Sequence, residues 1–339
     1  MAIPVRMGWG TDHRGVIPVA GISPPGNYLC SPDCQCHCTA GYCSLPLVDD
    51  PQSPTHGGPA EYRSKGPRGP GDNRHSYPAG GQNHLFHFNR MTMPNFEIDL
   101  NCDVGEGVGN EQELFPHISS CNIACGGHAG NRESMKEIVT LAGKAGVRAG
   151  AHPSYPDREN FGRKHMQLTA RELEESLLEQ LQLLDEVAAA AGVPLHHIKA
   201  HGALYNDLAA NPALAREYLR ILTPYRESRV LFVPAGSDLM RRALSLGYRV
   251  WGEAFADRAY NADGSLVARS EPGAVLTEPS RVFRQVRDLV LRGRATTPEG
   301  REIKLSPDTI CIHGDTPGAL EILMYLSLEL PKESIRLLS

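Results

Sequence analysis

The chain has 339 residues, with 34 Lys+Arg against 39 Asp+Glu for a net charge of -5, and 41% of it is hydrophobic. At roughly 150 residues per domain, that length suits two domains or one large α/β domain with an appendage. The mildly acidic balance offers no basic footprint for nucleic acid. No run approaches the roughly 18 to 20 apolar residues that span a bilayer, so nucleic-acid and integral-membrane roles are both excluded.

Residues 1 to 92 hold 12 of the 26 Pro and 13 of the 34 Gly, a density typical of low-complexity sequence. They are predicted to form a disordered extension, or to reflect a start assigned too far upstream. Pro and Gly interrupt any apolar run near the N-terminus and Asp12 lies within it, which argues against a secretory signal. Cys30, Cys34, Cys36, Cys38 and Cys43 with His37 are dense enough to suggest zinc, but they lack the second paired knuckle of a structural site. The folded part is expected to begin at Met93 and run to residue 339.

From Met93 onward, short apolar strands alternate with amphipathic helices, the pattern of a parallel β/α architecture. Seven strands are predicted, over Phe96–Asn101, Cys121–Ala124, Val147–Ala151, Ile198–Ala200, Val230–Val233, Arg249–Gly252 and Thr309–Ile312. Thr169 and Glu172 form a capping box ahead of Leu173, Leu177, Leu181, Leu184 and Ala188 at helical spacing. Asn211-Pro212 and Thr316-Pro317 each read as a capping side chain before a first-turn Pro, and Gly247 and Gly293 as helix C-terminal residues.

Seven β/α units fit a closed parallel barrel, because polar residues follow six of the strands and a barrel gathers its C-terminal strand ends at one mouth. The candidate catalytic groups there are Asp103, Glu106, His152, Lys199, His201, His313 and Asp315. His152 with Asp157, His313 with Asp315, and His128 with Asp103 or Glu106 are possible imidazole and carboxylate pairs. Such pairs can do acid/base work or hold a divalent metal, the latter with His128, His152 and Asp103 as ligands.

Strand alternation sends Lys199 and His201 to the same side, and an inward Lys199 needs a carboxylate from a neighbouring strand or an anionic ligand. Arg163 and Arg258 have the fork suited to carboxylate or phosphate. Tyr205, Glu253 and Asp257 join them as candidate substrate contacts. The loop containing Gly105, Gly107 and Gly109 matches neither a dinucleotide nor a P-loop pattern. Cys125, at a strand end, is the one cysteine to test as a nucleophile.

Six motifs in order, DLNCDVGEG, SCNIACGGHAGN, GAHPSYPDRENFGR, IKAHGALYN, EAFADRAYNADGSLVARSEPGAV and CIHGDTPGA, closely resemble the LamB/YcsF family over residues 95 to 330. The resemblance implies a cytoplasmic protein with the seven-stranded β/α barrel of the glycoside hydrolase/deacetylase superfamily. It also implies ATP-dependent opening of the 5-oxo-L-proline lactam to L-glutamate with two partner subunits of B and C type, ATP being accompanied by a divalent metal such as Mg2+. Two rival readings are an ATP-independent, metal-dependent deacetylase or amidohydrolase, and a substrate-binding subunit whose partners do the chemistry.

Overall fold

The computed structural model describes residues 95 to 338. The predicted extension, its cysteine cluster and the expected start at Met93 lie outside them. The elements run β1 (Phe96–Val104), α1 (Glu111–Leu114), β2 (Ser120–Ala124), α2 (Arg132–Ala145), β3 (Arg148–His152), α3 (Ala170–Ala191), β4 (Leu195–Lys199) and α4 (Gly202–Ala210). They continue with α5 (Pro212–Ile221), β5 (Val230–Pro234), α6 (Asp238–Ser245), β6 (Arg249–Phe255), α7 (Pro279–Arg292), β7 (Arg294–Thr296), β8 (Glu302–Lys304), β9 (Thr309–His313), α8 (Ala319–Glu329) and β10 (Ile335–Leu337).

Strands β1 to β6 pair in order, all parallel, and β9 lies between β6 and β1, which closes the seven-stranded barrel. All seven predicted strands are present, with ends that differ by up to three residues. The β7–β8 hairpin and β10, which pairs with the start of β1, were not predicted. Each is only three residues long, too short for alternation to register.

The strands place the site through a period-two pattern. Along β1, Ile98, Leu100, Cys102 and Val104 join the hydrophobic layer under the helices, while Asp99, Asn101 and Asp103 turn inward and bond to residues of other strands. The lumen is therefore polar where a parallel barrel is usually filled with branched aliphatics. Buried polar groups need partners, and here they form a ladder. Thr309 Oγ1 donates to Asp99 Oδ2 at 2.5 Å, Asn101 Nδ2 to Thr309 Oγ1 at 2.7 Å, and Asn122 Nδ2 to Asn101 Oδ1 and Asp103 Oδ1 at 2.7 Å each. His197 Nε2 meets Asn122 Oδ1 at 2.8 Å. Its ring lies over Gly150, where a Cβ would come within 2.2 Å of Nε2, so glycine is the residue that admits the imidazole.

The helices follow their signals. Thr169 and Glu172 cap α3 reciprocally, and Leu173, Leu177, Leu181, Leu184 and Ala188 are all buried. Asn211 Oδ1 accepts from the amides of Ala213 and Leu214, and Gly247 and Gly293 adopt the left-handed conformation after α6 and α7. Thr316 departs from its predicted capping role. Gly318 sits at the N-cap of α8, two residues beyond Thr316, and Thr316 Oγ1 instead donates to Asp257 Oδ2 at 2.5 Å, a charge-assisted bond. Among the described residues, no helix is long and apolar enough to cross a membrane.

Candidate active site

A cavity of about 460 Å³ opens at the C-terminal ends of the strands. Its lining includes Asp103, Glu106, His152, Arg163, Lys199, His201, Tyr205, Arg258 and His313, so nine of the predicted residues meet there although they span more than 200 positions. His128, Glu253, Asp257 and Asp315 are not in that lining.

Three imidazoles and a carboxylate cluster together, with His152, His201 and Glu106 in the lining. His128 stacks on His201 with centroids 3.7 Å apart, and Glu106 Oε1 lies 2.8 Å from His128 Nε2, 3.4 Å from His201 Nδ1 and 4.0 Å from His152 Nε2. Two backbone carbonyls determine the tautomers, since a carbonyl only accepts and the ring nitrogen facing it must carry the hydrogen. His152 Nδ1 donates to Lys199 O at 2.9 Å and His201 Nε2 to Phe161 O at 3.0 Å. In the neutral rings, His152 Nε2 and His201 Nδ1 then both present lone pairs, yet they lie 3.0 Å apart. That contact calls for a proton or a metal cation between them.

The donor set suits a metal. Glu106, His128, His152 and His201 offer ligand atoms all within 4.8 Å of one another, and His128 Nδ1 is buried without a partner. Burial lowers the pKa of His128 to about 2 and that of His201 well below the usual range, which keeps both rings neutral as ligands must be. Burial, reinforced by Asp103, raises Glu106 to about 7. The predicted ligand set of His128, His152 and Asp103 is thus rearranged. Asp103 Oδ2 reaches His152 Nε2 at 3.3 Å, but its own cluster is with Cys311 and His313.

Lys199 occupies the cavity floor as its strand parity predicted. Its Nζ lies 2.9 Å from Asp103 Oδ1 and 3.0 Å from Glu253 Oε1, so the required carboxylates come from β1 and β6. Burial works against the ammonium charge, but Asp103 and Glu253 outweigh it and hold the pKa well above the usual lysine range. Glu253, predicted as a substrate contact, pairs with Lys199. Tyr205 lies beside Glu253, and burial with that carboxylate raises its phenol pKa.

Two predicted pairs are corrected. His313 Nδ1 bonds Asp257 at 3.0 Å instead of Asp315, because β6 runs next to β9 and brings Asp257 beneath the ring. Asp257 is completely buried, also accepts from Thr316 and the His313 amide, and so orients His313 instead of touching substrate. Burial opposes its ionisation, but His313 holds it below the ordinary carboxylate range. Asp157, the predicted partner of His152, instead accepts from the backbone and side chain of Asn160, closing a local turn. Cys125 is no nucleophile. It is buried, donates to Ile123 O, and burial raises its thiol to about 12.

Arg258 is 7% exposed, donates from Nη2 to Val267 O at 2.6 Å, has an unpartnered Nε, and has no carboxylate within ion-pair distance among the described residues. Asp315 lies at the rim, where it pairs with Arg163 and with Arg269 at 3.4 Å. Sequence reasoning missed Arg269, which follows no periodic signal in its loop. Asn101 and Asn122, which the sequence reading placed among the polar residues at the strand ends, bond to one another in the lumen beneath the site.

Fold and site together define a parallel β/α barrel with imidazole, carboxylate, ammonium and guanidinium groups gathered at its C-terminal mouth. The chain belongs to the LamB/YcsF family, whose model matches residues 98–339. It is 43% identical over 243 residues to the A subunit of 5-oxoprolinase from Bordetella pertussis, covering 70% of this chain and 96% of that one. It is 40% identical over 247 residues to the protein of the same name from Pyrococcus furiosus, covering 71% and 97%. Among solved structures it is similar to a lactam utilization protein from Thermus thermophilus, with a TM-score of 0.67 and 36% identity over 71% of this chain and 98% of that one.

Proposed function

We propose that this chain is a 5-oxoprolinase A subunit, which opens the lactam of 5-oxo-L-proline to L-glutamate in the cytoplasm, at the expense of ATP and together with B- and C-type subunits. The observation that carries the reading is one cavity containing both a carboxylate-oriented imidazole, His313, and a buried guanidinium with no carboxylate of its own, Arg258. Kinship with the named relatives supplies the substrate.

A lactam is a resonance-stabilised amide and a poor electrophile. Phosphorylation of its oxygen by ATP makes the ring carbon open to water; loss of the ring nitrogen from the adduct then leaves an acyl phosphate, which a second water hydrolyses to the carboxylate and inorganic phosphate. In this scheme Arg258 binds the substrate carboxylate through a charge-assisted pair. His313, its Nδ1 held by Asp257, takes the proton of the attacking water at Nε2 and returns it to the departing ring nitrogen. Lys199 is the ammonium available to donate to the oxygen that gains charge. Glu106, His128, His152 and His201 fit a divalent cation, which when bound would supply a Lewis acid to the same oxygen.

The test is the ratio of ADP to glutamate formed by this chain with its partner subunits. A ratio near one supports the reading, whereas glutamate formed without nucleotide consumption would favour a metal-dependent amidohydrolase. Replacing His313 with Ala should lower turnover by about 10²- to 10⁴-fold. Unchanged turnover would move the chemistry to a partner and leave this chain as a binding subunit. Titration of the isolated chain with Co2+, followed by visible absorption, checks the cation site independently of turnover. His201→Ala should abolish the spectrum.

A further inference from the structure

Three arginines line the cavity, and among the described residues a single carboxylate pairs with any of them. Arg163 comes from the β3–α3 loop, Arg258 and Arg269 from the β6–α7 loop, and all three line the cavity. Asp315, in the β9–α8 loop, is the one carboxylate paired with any of them among the described residues. Both of its contacts, from Arg163 Nη2 and Arg269 Nη1, use the same oxygen, Oδ2. Two guanidinium forks thus share a single acceptor atom, and most of their donors have no partner among the described residues. A carboxylate has two oxygens and satisfies one fork bidentately, while a phosphoryl group presents three and can satisfy two. The pairs are partly exposed, with side-chain exposures of 42% for Arg163, 32% for Arg269 and 26% for Asp315, so each contributes little in water and yields readily to a competing anion.

We propose that Arg163 and Arg269 form a phosphoryl subsite at the rim, and that Asp315 is its resident counter-ion, displaced when phosphoryl oxygens bind. Asp315 is then not a catalytic acid or base. The β9–α8 loop is then released from the other two, which the anion bridges in place of Asp315, and Arg258, deeper in the cavity, is left to the substrate carboxylate. The inference deepens the ATP-dependent reading and rests on it for the source of the phosphoryl group. The binding chemistry itself can be measured without turnover.

Equilibrium dialysis of radiolabelled inorganic phosphate against the full chain provides that measurement, with thermal melting to confirm that each variant is folded. Asp315→Asn should tighten phosphate binding about tenfold by freeing both forks, and Arg269→Gln should weaken it and cancel the gain in the double variant. Unchanged or weaker binding in Asp315→Asn overturns the proposal, as does an Arg269→Gln variant with the affinity of the parent. If 5-oxoproline gains the tenfold and phosphate does not, the rim is a carboxylate site and the phosphoryl assignment is wrong. Phosphate binding in the expected pattern, in a complex that opens the lactam without consuming ATP, supports the subsite and overturns the ATP-dependent reading.

Discussion

Lys199 shows how a single residue couples stability to site chemistry. Its ammonium is enclosed between Asp103 and Glu253, both of which are buried. Replacing it with Met removes the charge and leaves two carboxylates facing each other without a cation, which should cost about 3–5 kcal/mol in denaturant unfolding. His196 gives a pH-dependent counterpart outside the site. Burial, helped by Arg148, lowers its pKa from 6.5 to about 4. Between those values the unfolded chain binds more protons than the native one, so stability falls as pH drops from 6.5 toward 4. His196→Gln should flatten that part of the stability profile, and an unchanged slope would show that the buried histidines of the lumen and mouth dominate it.

At the scale of elements, strand identity was legible because each strand is an alternating or apolar run, and six of the seven are followed by polar residues. Pairings across the mouth were not legible. His313 has Asp315 two positions away in the chain, but its partner is Asp257, 56 residues earlier, delivered by the adjacency of β6 and β9. Neighbours in the chain lie in the same loop and point apart, whereas neighbouring strands bring distant residues together, and their order around a barrel does not appear in any local pattern.

The contact between the β3–α3 loop and α4 is another feature that only the fold reveals. Gly202, with φ +58°, lies where a Cβ would come within 2.5 Å of Gly162 O. Ala203 N donates to that same oxygen at 2.9 Å, next to the Phe161 carbonyl that orients His201. Gly202→Ala should therefore destabilise the protein by about 1–3 kcal/mol and lower turnover more than its stability loss explains, since His201 loses its anchor. Thr169→Ala, at the N-terminal cap of α3, should cost about 1 kcal/mol and leave turnover unchanged. Thermal melting and steady-state assays of the two variants separate these cases.

For the whole molecule, the barrel accounts for the match to the family over residues 98–339. A chain beginning at Met93 should keep the melting temperature and turnover of the full one, measured side by side. A loss of either would give the first 92 residues a part in folding or activity.

The polar lumen has a further consequence for how the protein comes apart. The bonds from Thr309 to Asp99 and from Asn101 to Thr309 cross the seam where β9 meets β1, the last and first strands of the closed ring. An aliphatic seam can gape and lose only contact area. Opening this one would take the Thr309 donor from Asp99 Oδ2 and both of these bonds from the buried Thr309 hydroxyl at once, before water could fully reach them. Partly open rings should therefore be scarce, and the barrel should separate in one cooperative event. Hydrogen exchange tests this directly: the amides of β1 and β9 should exchange with the free energy and denaturant dependence of global unfolding, and faster, denaturant-insensitive exchange along that seam would show that it breathes on its own.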